Sequence, residues 1–290
     1  MNVRSILDHY IAQHIDAAAS DTERPRQACA AVNAFMGDTP HGAVNNALIN
    51  RYCKHRAEGS SGARPVKPGT YRYELVILQA ALRFAQDTGL ITEVPKFRLP
   101  AAPKPKVDYL TKEQVKATLG ALQERDAGGR MSRLYRFFVL AVATGARKSA
   151  IEFLRWDQID LRRKVICYSD QVSVQTRKRR VDTPIPDWVM PYLQRALVEK
   201  DADYFLDHPG CIRSSWRNAM PDLARRSGVP ALLTIRRHTL RHTCATLLLA
   251  EGATLWQVAG VLGDNVTTVA KVYGHHAMDD LANAVNKLTF

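Results

Sequence analysis

The chain has 290 residues, 46% of them hydrophobic, enough for one large domain or two ordinary ones. It has no run of about 18 apolar residues and no apolar leader behind Met1, so it reads as neither membrane-spanning nor secreted. Five cysteines without a Cys-x-x-Cys pair argue against a disulfide framework or a zinc knuckle and fit reduced thiols in a cytoplasmic protein, while the net charge of +13 points to a polyanionic partner, first of all nucleic acid.

Residues 1–95 carry the spacing of a helical domain. Ile6, Leu7, Tyr10 and Ile11 recur at helical intervals, as do Cys29, Val32, Ala34 and Phe35, then Leu48, Ile49, Tyr52 and Cys53. The stretch from Glu58 to Gly69 is rich in Gly, Ser and Pro and predicts a loop. Thr70 is the expected N-cap of a helix with Leu75, Leu78, Leu82 and Phe84 on its apolar stripe, ending near Thr88-Gly89. Composition changes sharply over residues 96–108. This stretch is rich in Pro and basic residues, Lys104 and Lys106 among them, and predicts an extended linker suited to DNA contact.

The second domain, residues 109–290, opens at Leu110, where Thr111 and Gln114 have the spacing of a capping box. A helix is expected from Arg133 to Val142, broken at Thr144-Gly145, and another from Lys148 to Trp156. From Ile159 to Ile185 the period shifts towards two, with short strands at Lys164–Tyr168, Val172–Gln175 and Val181–Ile185. The second turn holds Arg177, Lys178, Arg179 and Arg180, either a solvated hairpin tip or a set of phosphate contacts. Residues 187–232 read as helical scaffold. Mainly helical structure with a small antiparallel sheet, in two domains, is the expected fold.

The last quarter gathers His238, Arg241 and His242 within five residues, then an apolar helical run, then Tyr273. Such a group suits a phosphate. Arginine grips two oxygens in a bidentate fork, histidine donates or takes a proton, and a tyrosine hydroxyl is a nucleophile. A lone tyrosine is more often core than catalyst, but the spacing behind Arg241 favours chemistry here. The nearby His275 and His276 bring no acidic or cysteine ligand at a familiar spacing, so no metal is expected.

Three stretches together carry a family resemblance. They are "ATGARKSAIEFLRWDQID" around Arg147, "HTLRHTCATLLLAEGATLWQVAGVLGD" with His238 and Arg241, and "VTTVAKVYGHH" with Tyr273. They resemble the two arginine boxes and the tyrosine box of the tyrosine recombinases (phage integrases), and "GTYRYELVILQAALRFAQDTGLI" is similar to the last helix of their core-binding domain. The resemblance implies a two-domain clamp with a helical core-binding (SAM-like) domain and a catalytic domain. It implies a site-specific recombinase that cleaves and rejoins double-stranded DNA through a 3′-phosphotyrosine link, without a cofactor. By the same match Arg147 and Arg241 hold the phosphate and His238 assists proton transfer from Tyr273. The family's hairpin lysine follows a threonine, where this chain has Arg177, so the role of protonating the leaving 5′-oxygen falls to Arg177 or to Lys178, and Lys178, the only lysine of the turn, is the expected donor. His242 is expected to orient its helix. A tail carrying Met278, Leu281, Val285 and Leu288 would dock on a neighbouring subunit of a homotetramer.

Two positions depart from the family pattern. Ala150 stands where an acidic residue commonly braces the site, and Glu152 is turned about 200° away on a helix. Asp264, at a sixth active-site position, stands where a donor to the phosphate is usual. An ionised carboxylate cannot donate, so Asp264 either points away or contacts an arginine. These departures keep a second reading open, a DNA-binding protein that has lost strand cleavage. A type IB topoisomerase is a third, and the tail argues against it.

Overall fold

A computed structural model describes residues 1–17, 22–59, 64–103, 107–170, 181–210 and 212–274. The chain divides near residue 105 into two compact units. The expected strand Val172–Gln175, the basic residues Lys104, Lys106, Arg177, Lys178, Arg179 and Arg180, and the tail from His275 onward lie outside the described residues.

Four helices build the first unit: α1 Val3–Tyr10, α2 Glu23–Met36, α3 Asn46–Glu58 and α4 Pro68–Asp87. Asn2 and Asn45 cap α1 and α3 with their side-chain oxygens, satisfying donors that a helix start leaves orphaned. α4 begins two residues before the expected cap at Thr70, because Pro68 at its first turn brings a φ already suited to a helix. On α2 the buried stripe is Cys29, Val32 and Met36, whereas Ala34 faces out and Phe35 is half-buried. Leu48, Ile49 and Tyr52 from α3 and Leu75, Leu78 and Leu82 from α4 complete this core with Val3, Ile6 and Leu7.

Inside that core sits one carboxylate. Glu74, 4% exposed, accepts from the Tyr52 hydroxyl at 2.7 Å and from Arg56 Nε at 3.0 Å and Nη2 at 2.6 Å. Burial and the adjacent carboxylate push the Tyr52 phenol far above its ordinary range, so it stays a donor.

The second unit carries α5 Lys112–Arg125, α6 Arg133–Thr144, α7 Lys148–Glu152, a three-stranded sheet, α8 Met190–Val198, α9 Arg213–Ser227, α10 Thr239–Ala250, α11 Leu255–Leu262 and α12 Val266–Tyr273. The capping box of Thr111 and Gln114 forms as expected. α7 stops at Glu152, short of the expected Trp156, which starts a single 3-10 turn instead. The antiparallel sheet runs β1 Ile159–Asp160, β2 Val165–Ile166 and β3 Thr183–Pro184, with Ile159 opposite Ile166 and Ile166 opposite Thr183. The strands are shorter than expected, and Tyr168 lies in a 3-10 turn rather than a strand. α6 is the central element, with every residue from Leu134 to Val142 buried. A second apolar cluster joins α10, α11 and α12 through Ala245, Leu249, Val258, Leu262, Val269 and Tyr273. No helix of the described residues is long and apolar enough to cross a membrane.

Replacing Glu74 by alanine strands a half-buried guanidinium and a buried hydroxyl, and is expected to cost roughly 3 kcal/mol. Urea denaturation of the full chain followed by circular dichroism measures it, and an unchanged midpoint would contradict the role given to the carboxylate.

Candidate active site

Two helix ends build the site. α6 ends at Gly145 in the left-handed region, φ 60°, with its N–H bonded to Ala141 O. α11 ends at Gly263, φ 61°, in a Schellman cap: Gly263 N–H bonds to Gly260 O and Asp264 N–H to Ala259 O. The two caps pack on each other. A Cβ at Gly145 would lie 2.4 Å from Leu262 Cδ2 and 3.2 Å from Cys244 Sγ, so packing and φ both require glycine there.

Helix C-termini present unpaired carbonyls and the negative end of the helix dipole. Arg241, on α10 and 4% exposed, uses them directly. Its Nη1 donates to Gly145 O at 2.8 Å and to Leu262 O at 2.9 Å, and its Nη2 donates to Asp264 Oδ2. Arg147, the residue before α7, donates through Nη2 to Asp264 Oδ1 at 2.6 Å and to Gly263 O at 3.4 Å. Asp264 thus contacts both arginines, resolving the choice the sequence left open. Burial and the neighbouring Arg241 lower the Arg147 pKa, with Asp264 opposing them.

Tyr273 ends α12 with its ring in the apolar cluster, 4% exposed. Its hydroxyl lies 2.6 Å from His242 Nδ1. Burial pushes the phenol up to about 12, with Asp264 and Cys244 adding to the rise and Arg241 opposing it. Burial also pulls His242 down to about 4, helped by His238 and Arg241 and opposed by Asp108. The imidazole is therefore neutral near pH 7. His238 precedes α10, is exposed, and meets the His242 ring edge-on with centroids 4.8 Å apart.

Of the sequence-predicted residues, Arg147, Arg241, Asp264 and Tyr273 come together with His238 at the margin. The histidine brought to the tyrosine hydroxyl is His242, which the sequence reading gave a helix-orienting part. Its signal was its spacing from His238 rather than from Arg241, since four residues along a helix return to the same face. Ala150 is buried at 4% exposure. Glu152 accepts from Ile212 N–H at 2.8 Å and pairs with Lys148 at 3.3 Å, so it serves the scaffold.

A buried and a half-buried arginine, both held by carbonyls, thus share one site with a histidine-bound tyrosine. The fold is similar to that of the Tn1549 transposon integrase solved with transposon right-end DNA, at TM-score 0.78 and 18% identity over 99% of each chain. It is also similar to a lambda integrase dimer bound to a core site, at TM-score 0.66 and 17% identity over 92% of this chain and 97% of that one. In sequence, the chain is 26% identical to the tyrosine recombinase XerA of Thermococcus kodakarensis over 215 residues, 73% of each chain. It is 28% identical to XerD of Pseudomonas aeruginosa over 215 residues, covering 69% of this chain and 68% of the relative. The model of the phage integrase family matches residues 108–280, and the chain belongs to that family. It is a tyrosine recombinase, a DNA strand-transferring enzyme.

Because the folded chain keeps His242 neutral, this residue makes stability fall as pH drops from about 6.5 towards about 4, and adds no dependence above that window. Histidine NMR checks it. The His242 ring should titrate near 4, and a midpoint above 6 would contradict the geometry.

Proposed function

We propose that this chain cleaves DNA with Tyr273 as nucleophile at a phosphate held by Arg147 and Arg241, forming a 3′-phosphotyrosine link and exchanging strands at specific sites to integrate or excise a mobile element. The observation that carries the reading is the 2.6 Å contact between the Tyr273 hydroxyl and His242 Nδ1, on the helix that also bears Arg241. With its proton on Nε2, the neutral His242 ring accepts the phenol proton at Nδ1 as Tyr273 Oη bonds to phosphorus. The bond from phosphorus to the 5′-oxygen breaks, and the departing oxygen takes a proton from Lys178. Exposed His238 is assigned to the phosphate, beside the two arginines that offset the charge gathering on its oxygens. Bond energy is kept in the covalent link, so the step needs no cofactor, and a 5′-hydroxyl of another strand reverses it.

Both units are assigned DNA contacts, because residues 1–105 carry 13 Lys+Arg against 9 Asp+Glu and the remainder 28 against 19. The first unit is assigned the core-binding part, and Lys104, Lys106, Arg177, Arg179 and Arg180 are assigned to backbone phosphates. Action on chromosomal DNA puts the enzyme in the cytoplasm.

For assembly we assign a homotetramer joined by exchanged tails. The second unit carries an apolar groove of about 470 Å³ lined by Val115, Leu119, Val142, Leu247, Leu248 and Trp188, with Lys112 and Glu251 paired at its rim. The tail residues Met278, Leu281, Val285 and Leu288 recur at helical spacing, a stripe that suits such a groove. Trp188, 43% exposed, is the accessible wall. Trp188→Glu is expected to abolish tetramers crosslinked on DNA while single protomers still bind. Tetramers at wild-type yield would refute the groove as the docking site.

Nicked duplexes from the DNA flanking the coding region test the chemistry. Incubated without metal, the wild type should give a covalent protein–DNA band on denaturing gels. Tyr273→Phe should give none, and Arg147→Ala should slow the band by about a hundredfold or more. Retarded DNA on native gels with no covalent band would favour a binding protein that has lost cleavage.

A further inference from the structure

We infer that Asp264 is a positioning residue: its carboxylate holds Arg147 and Arg241 together as a matched pair, ready to receive one phosphate. This inference rests on the strand-transfer reading above. Two guanidinium groups converging on one spot repel each other, and Arg241 is almost wholly withdrawn from the water that would screen it. Asp264 gives one oxygen to each, Oδ1 to Arg147 and Oδ2 to Arg241. A phosphodiester likewise offers two oxygens on one centre, so the carboxylate sets the spacing that the ligand needs.

A removable plug over the arginines is the competing view, and the geometry opposes it. The backbone of Asp264 is fixed by the cap of α11 through its N–H bond to Ala259 O. Arg241 Nη1 is already committed to Gly145 O and Leu262 O. Withdrawing the carboxylate would leave a buried cation beside a second cation with nothing between them, a costly arrangement. The carboxylate therefore remains while the phosphate reaches the pair from the side of Arg147, the more exposed of the two.

Asp264→Asn keeps the shape and removes the charge, and Asp264→Glu keeps the charge. Three measurements on the full chain read the outcome: arginine modification by phenylglyoxal followed by mass spectrometry, DNA affinity, and the single-turnover rate of covalent-band formation. Thermal melting confirms that each variant is folded. In Asp264→Asn, Arg147 should be modified at least about fivefold faster and the covalent band should form at least about tenfold more slowly. Affinity should stay within about threefold, the pattern of a lost transition-state contact. Asp264→Glu should recover part of the rate, which a loss of folding alone would not allow. Unchanged Arg147 reactivity with an unchanged rate would overturn the inference. A faster covalent band in Asp264→Asn would overturn it in favour of the plug. If the wild type forms no covalent band while Arg147 reactivity still rises in Asp264→Asn, the pairing stands and the strand-transfer reading falls.

Discussion

The site depends on the contact between two helix ends. Gly145 closes α6 and Gly263 closes α11, and each leaves carbonyl oxygens pointing at the same small volume. A buried guanidinium needs acceptors on several sides, and here Gly145 O, Leu262 O and Asp264 supply them to Arg241. The caps approach closely because position 145 has no Cβ. Their approach in turn relies on the burial of α6 along its length and on Leu262 in the neighbouring cluster. The large core of the second unit therefore acts on the chemistry by fixing where two chain reversals meet.

The tyrosine and its histidine are tuned apart. Both are withdrawn from water, which raises an acid that becomes an anion and lowers a base that becomes a cation. With the phenol at about 12 and the imidazole at about 4, the proton stays on Tyr273 in the resting protein. In the proposed reaction, transfer becomes favourable only as the phenol oxygen bonds to phosphorus and loses basicity. The hydrogen bond therefore orients the hydroxyl at rest and carries the proton only during attack. Such a site resists forming a stray phenolate in the absence of DNA.

Much of this was legible in the sequence. Helical periodicity gave the cores of both units, since Leu75, Leu78 and Leu82 or Leu255, Val258 and Leu262 repeat with the turn of a helix. The arginine and tyrosine boxes gave Arg147, Arg241 and Tyr273. The length of α7 was not legible. Its apolar residues continue beyond Glu152, and the chain turns because tertiary packing draws Phe205 N–H to Leu154 O and Trp156 N–H to Asp203 O. The strands were overextended for a similar reason, because alternation marks exposure on two faces rather than the number of ladder bonds. The role of Asp264 was half legible. Its charge excluded donation, but its contact with two arginines arises from residues more than 20 and more than 110 positions away. The contact of His242 with the tyrosine hydroxyl joins residues 31 positions apart, and the sequence showed only that His242 lies one helical turn beyond His238.

A second buried arginine shows why burial alone would not have marked the site. Arg136 on α6 is 2% exposed, donates to Phe205 O at 2.7 Å and pairs with Asp207. By burial and partner type it matches Arg241. The difference lies in how each carboxylate is shared. Asp207 also meets Arg130, whose other carboxylate partner is Asp201, so charge there is balanced two against two. Asp264 instead gives one oxygen to each of Arg147 and Arg241, close to the tyrosine hydroxyl. A balanced network stabilises a fold and has no call for a ligand. The Asp264 network is held instead by two helix caps beside the tyrosine, with Arg147 its more exposed cation.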